Sequence, residues 1–187
     1  MGNKQQPPKG TDGNRTWIND LEIEDAQIKW AWSHFNGAAD TFNAEGDRNF
    51  VVSLNPDDAR ALMEIPDGWS IKEYVDTREG AEGSEPEYTI KVKISYRFEP
   101  PKIFFLKEKE VELEDGTVTT QLRKFRVENE TELNDITRAT VKRIDFVAKP
   151  SRWMRNGEAG VTPYLSEMYV HMQDSKIGSQ YDDIEEL

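Results

Sequence analysis

Apolar and polar positions alternate along most of this chain, and the pattern predicts short β-strands rather than helices. Residues 87–98 show it most cleanly: Tyr88, Ile90, Val92, Ile94, Tyr96 and Phe98 fall on one face, Thr89, Lys91, Lys93, Ser95 and Arg97 on the other. The same period runs through 21–32, where Ala26, Ile28, Trp30 and Trp32 alternate with other residues and predict a single first strand. The stretch SHFNGAADTFNAEGDRN that follows is rich in Gly, Asn and Asp and reads as a loop carrying Phe35 and Phe42. Further strands are predicted at 48–54, 69–75 and 102–106, the last resuming after the break at Pro100-Pro101. Residues 111–113 and 117–122 flank Glu114-Asp115-Gly116, a hairpin turn by composition, and Phe125 and Val127 extend its second arm. The last two strands, 140–148 and 161–172, belong to a hairpin that turns at Asn156-Gly157.

Helical signals are few. Asn55 is a natural N-cap, Pro56 suits the first helical position and Asp57 and Asp58 fill the first turn, so a short helix starts there and ends at Pro66-Asp67-Gly68. Residues 129–136 predict one or two helical turns capped by Asn129 or Thr131. Eight or nine strands with one or two short helices make the chain mainly β. An OB-fold-like Greek-key barrel with extra hairpins fits the count, and an open sandwich is compatible with it. The domain organisation expected is a disordered leader over 1–16, a β domain over 17–172 and an acidic tail over 173–187.

Composition narrows the function. Thirty-six acids against 24 Lys and Arg give a net charge of −12, with no cysteine to form a disulfide or a thiolate metal site. No apolar run reaches the ~18 residues that span a bilayer, and the N-terminus lacks the apolar core of a secretory signal. A cytoplasmic protein with no membrane partner is the expectation. Catalysis has little support: His34 and His171 are far apart, both read as solvated surface residues, and no nucleotide-binding or hydrolase motif is present. No catalytic residue, metal or other cofactor is expected.

The cations are concentrated where the acids are not. Arg138, Lys142, Arg143, Lys149, Arg152 and Arg155 face a single acid, Asp145, between 138 and 156, and Trp153 stands among them before the turn. Single strands of nucleic acid are held by cations along the backbone and by aromatic faces under the bases. On that chemistry the candidate contacts are Trp30, Phe35, Phe42, Tyr96 and Trp153 for bases, with Arg48, Lys91, Lys93, Arg97, Lys149, Arg152 and Arg155 for phosphates. The competing reading makes the Lys91 face an ordinary solvated sheet surface and Trp30 and Trp32 core residues. The last residues end YDDIEEL, apolar side chains spaced among acids, which suits docking on a basic partner or folding back over the chain's own cations.

The order of these features resembles the single-stranded DNA-binding proteins encoded by tailed bacteriophages. The resemblance is carried by Phe42-Asn43, by Gly46-Asp47-Arg48-Asn49-Phe50, by Gly68-Trp69, by Tyr88 to Lys93, and by a final series of Trp153, Asn156, Gly157, Gly160, Val161, Tyr164, Leu165, Met168, Tyr169 and Val170. It spans about residues 21–170 and implies an OB-fold, binding without base specificity in replication or recombination, and an acidic tail that contacts proteins of those processes. A homo-oligomer and location in the host cytoplasm belong to the same expectation. The negative charge keeps a second reading open, a phage structural or interaction protein, or an acidic mimic of nucleic acid that binds no DNA.

Overall fold

A computed structural model describes residues 18–173. The predicted leader and all but the first residue of the predicted acidic tail lie outside the described residues. Within them nine strands form one mixed sheet: β1 (Leu21–Ile23), β2 (Gln27–Ile28), β3 (Arg48–Leu54), β4 (Ile71–Tyr74), β5 (Glu87–Ile94), β6 (Lys102–Glu112), β7 (Val118–Arg126), β8 (Thr140–Arg155) and β9 (Glu158–Gln173). One α-helix, α1 (Pro56–Met63), and two 3-10 segments, Trp30–Trp32 and Glu130–Thr137, complete the described elements.

The main path runs β1-β8-β9-β5-β3-β2. Its two ends belong to one stretch of chain, because β1 pairs with β8 while β2, three residues later, pairs with β3. Taking β1 and β2 as one bent strand, and counting it with β3, β5, β8 and β9 as strands one to five, the five principal strands meet in the order 1-2-3-5-4-1. That is the partly open Greek-key path expected of an OB-fold. β9 lies antiparallel to β8 and parallel to β5 and β6.

The uninterrupted first strand predicted over 21–32 is therefore corrected. The chain bends at Asp25, whose φ is +49°, and the Asp25 N–H donates to Asp145 Oδ1 at 2.7 Å. Period 2 on either side of the bend conceals it, since the bend transfers the chain from one sheet edge to the other. The next turn winds Trp30–Trp32 into a 3-10 segment instead of continuing the strand. The clean strand at 87–98 is also shorter than its pattern: β5 stops at Ile94, and Phe98 is 88% exposed rather than in the core. The final hairpin is longer than predicted, pairing continuously from Ala148↔Leu165 to Arg155↔Glu158. Its turn has φ of +51° at Asn156 and +80° at Gly157, the left-handed pair that a two-residue hairpin of matching twist requires.

Both helical predictions hold. Asn55 Oδ1 accepts from the Asp57 N–H at the start of α1, and the Asn129 side chain accepts from the Glu132 N–H at the second 3-10 segment. The core is built from the even-numbered positions of β3 and β5 against β8 and β9. An aromatic ladder runs through its centre, with Phe35 stacked on Phe50 at 5.1 Å and Phe50 edge-on to Phe146 at 5.1 Å. Such pairs each contribute about 0.5–1.5 kcal/mol beyond their buried area.

Candidate nucleic-acid interface

Alternation along paired strands decides which side chains share the outer face of the sheet, away from the core. On β5 that face holds Lys91 and Lys93. Lys93 pairs with Tyr164 on β9, and Tyr164 pairs with Lys149 on β8. Tyr164 thus sits between two lysines whose backbones are about 10 Å apart, two strand spacings. From Lys149 the same face of β8 continues through Ser151 and Trp153 to Arg155, with no register shift between them. β4 adds Lys72, opposite Thr89, and Tyr74, opposite Glu87. From Glu87 to Lys93 the face extends roughly 20 Å along β5.

Aromatic rings stand along this face. Trp153 lies over Gly160, and its indole N–H donates to Ser70 Oγ at 3.3 Å. Only glycine fits beneath it, because a Cβ at 160 would come within 2.7 Å of the ring. The ring remains 38% exposed. At the other edge the 3-10 turn lifts Trp30 and Trp32 to the surface, both about half exposed. Trp32 meets Tyr74 at 5.2 Å between ring centroids, and Lys29 Nζ lies 5.3 Å from the Trp32 ring. At the far end of β5, Arg48, Lys93, Tyr96, Arg97 and Tyr164 line a groove of about 560 Å³ shared with Asp47 and Glu130. Among the described residues the Tyr96 hydroxyl is buried there without a hydrogen-bond partner, and burial raises its pKa.

Charge on this face is available. Among the described residues Lys72, Lys91, Lys93, Lys149 and Arg155 make no ion pair. Some cations elsewhere are taken up: Arg143 by Asp145 and Glu24, Lys142 by Glu108, Arg78 by Asp76. The carboxylates that alternation places on the face beside β4 and at the hairpin tip are Glu87, which is paired with Lys29, and Glu158.

The structure brings together Lys91, Lys93, Lys149, Trp153 and Arg155 of the predicted contacts, with Tyr96 and Arg97 at one end. Trp30, though half exposed, sets its ring against the core ring of Phe35 at 5.6 Å between centroids, and is not brought to this row. The structure also corrects three predictions. Phe35 is 1% exposed and stacked in the core, so it offers no face to a base. Arg48 is buried and donates to the Phe35 carbonyl at 2.6 Å and to Asn134 Oδ1 at 2.9 Å, so it ties the loop to the second 3-10 segment instead of standing free for phosphate. His34 is no solvated residue: it bonds Asp40 Oδ2 at 2.5 Å and Asn49 Oδ1 at 3.3 Å. That network holds the loop and leaves Phe42 at its tip, 91% exposed. Arg152 alternates to the opposite side of the hairpin from Trp153.

Trp32, Lys72, Tyr74 and Tyr164 belong to the face and were missed by sequence reasoning. For Lys72 and Tyr74 a signal existed, since they alternate with Ile71 in WSIKEYV. Trp32 gave a misleading signal, because its period-2 spacing with Trp30 reads as core.

No curated protein sequence matches the chain. Three solved structures of the single-stranded DNA-binding protein from bacteriophage Enc34 are similar to it. The one in complex with ssDNA is 12% identical, with 92% of this chain and 97% of that chain covered and a TM-score of 0.46. The C-terminal truncation is 12% identical, with 94% and 98% covered and a TM-score of 0.46. The third is 11% identical, with 98% and 96% covered and a TM-score of 0.45. A family model described as "Putative phage ssDNA-binding domain" matches residues 11–187. With nearly its whole length matched, the chain belongs to the phage ssDNA-binding domain family.

Proposed function

We propose that the chain binds single-stranded DNA without base specificity along the outer face of β5, β9 and β8. Bases stack on Trp153 at one side and on the Trp32–Tyr74 pair at the other, and Lys72, Lys91, Lys93, Lys149 and Arg155 neutralise phosphates between them. Tyr164 supplies a further ring between Lys93 and Lys149. The observation that carries this reading is the coincidence of unpaired cations and half-exposed aromatic rings on one face of a strongly acidic chain. Stacking and backbone charge are sequence-tolerant, because every base has a π-face and every nucleotide a phosphate. A face roughly 20 Å long suits the short end of the ~4–16 nucleotides that one OB-fold covers. In this reading the protein coats strands exposed in replication or recombination, in the host cytoplasm, and its acidic tail contacts proteins of those processes.

Fluorescence anisotropy with a labelled ten-residue oligo-dT, titrated from low to moderate salt, tests the proposal. Affinity that falls with salt, is equal for mixed-sequence strands, and is weaker for duplex supports it. No binding at low salt refutes it and favours the acidic interaction protein that the net charge of −12 permits.

A further inference from the structure

The β6–β7 arm takes no part in the face described above. Beyond Lys107, the last residue of β6 to pair with β9, it is a two-stranded ribbon exposed along nearly all its length, and every residue of β7 is exposed. Among the described strands β7 pairs with β6 alone. The register sorts its charges by side. Lys107↔Arg123, Lys109↔Gln121 and Val111↔Thr119 occupy one face, with three cations and no acid. Glu108↔Leu122, Glu110↔Thr120 and Glu112↔Val118 occupy the other, with three acids and no cation.

These two sets cannot neutralise one another within a chain, because neighbouring residues of a strand point to opposite sides of the ribbon. Glu108 finds Lys142 at 3.2 Å, but among the described residues Glu110, Glu112, Lys109 and Arg123 make no ion pair. Each face also exposes apolar surface, Leu122 and Val118 beside the acids and Phe125 beside the cations. Both charge rows repeat every second residue, about 7 Å, so the cationic face of one ribbon matches the acidic face of another. Such a contact joins different faces of identical chains, so it repeats head to tail from copy to copy instead of being satisfied within a two-fold dimer.

We propose that the β6–β7 arm is a self-association surface: the Lys107–Lys109–Arg123 face of one copy stacks on the Glu108–Glu110–Glu112 face of the next. The contact links neighbouring copies along a strand, and this consequence rests on the DNA-binding reading, whereas the arm contact itself does not. Two charge-reversed chains test it. Glu110→Lys with Glu112→Lys makes both faces cationic, and Lys109→Glu with Arg123→Glu makes both acidic.

Sedimentation velocity at low salt without DNA reads the arm contact alone. Each reversed chain is expected to sediment as a monomer, and an equimolar mixture to associate. On long oligo-dT, each alone is expected to lose about tenfold or more in cooperativity while keeping its affinity for a ten-residue strand within about threefold, and the mixture to recover. Undiminished cooperativity in either reversed chain overturns the proposal, and so does a mixture that stays monomeric. A cationic face that contacts DNA instead would show as weakened ten-residue binding in the Lys109→Glu, Arg123→Glu chain with no response to the Glu reversals, which also overturns it.

Discussion

Trp153→Ala isolates the stacking claim. The indole lies with one face over Gly160 and its N–H on Ser70 Oγ, which leaves one open face and room for one base. Stacking of one base on an aromatic side chain contributes about 1–3 kcal/mol, and 1.4 kcal/mol is tenfold, so the variant should bind a ten-residue oligo-dT about 5- to 150-fold more weakly. No cation is removed, so the slope of log affinity against log salt should not change. Anisotropy titrations at three salt concentrations read both quantities, and circular dichroism with thermal melting checks the fold. Gly160→Ala approaches the same contact from beneath: its methyl would sit 2.7 Å from the ring and must displace it. That variant should weaken binding in the same direction, and adding it to Trp153→Ala should cost little more, because both act through one ring. A folded Trp153→Ala protein with affinity within twofold of the parent would refute the stacking role. A loss accompanied by a shallower salt slope would show that the hairpin acts through charge instead.

Three further outcomes are expected. Replacing Lys91, Lys93 and Lys149 by Ala should reduce the salt slope by about 0.7 for each phosphate no longer neutralised, roughly 2 in all, and an unchanged slope in anisotropy titrations would remove these lysines from the interface. Phe35→Ala should destabilise by about 3–5 kcal/mol in urea unfolding, as loss of a buried phenyl does, whereas Phe42→Ala at the exposed loop tip should stay within about 0.5 kcal/mol. Asp145 is pushed up by partial burial, but the Asp25 N–H and Arg143 outweigh this and hold its pKa below the ordinary value. A depressed folded pKa stabilises above the unfolded value and loses that stabilisation as pH falls, here below about pH 4. Asp145→Asn should therefore be less stable than the parent at pH 7, with the gap narrowing at pH 3. A gap equal at both values would show that the charge of Asp145 does not hold the bend at Asp25.

The mainly β character, the Asn55 cap, both hairpin turns and the core face of β5 were legible in the sequence because each depends on local periodicity or on one residue's conformational preference. Lys91 and Lys93 followed from the same alternation. What the sequence concealed was relational. The bend at Asp25 satisfies period 2 on both sides, and only pairing with two different strands reveals it. Phe35 and Phe42 lie in one loop of similar composition, yet the ring beside Phe50 enters the core and the other stays outside, a choice made by packing. Arg48 reads as an available cation until its backbone and Asn134 partners appear from distant segments.

The sequence by itself determined that this chain is an acidic β-protein with a cationic, tryptophan-bearing hairpin near its end, because alternation, turn chemistry and charge are properties of neighbours in the chain. Tertiary structure alone decided that Lys93, Tyr164 and Lys149 stand in one row, that Trp153 rests on Gly160 beside Ser70, and that Trp32 meets Tyr74. Those pairings join segments tens of residues apart. They exist because burying the inner faces of the five principal strands fixes the register of their outer ones, and no local pattern specifies that register.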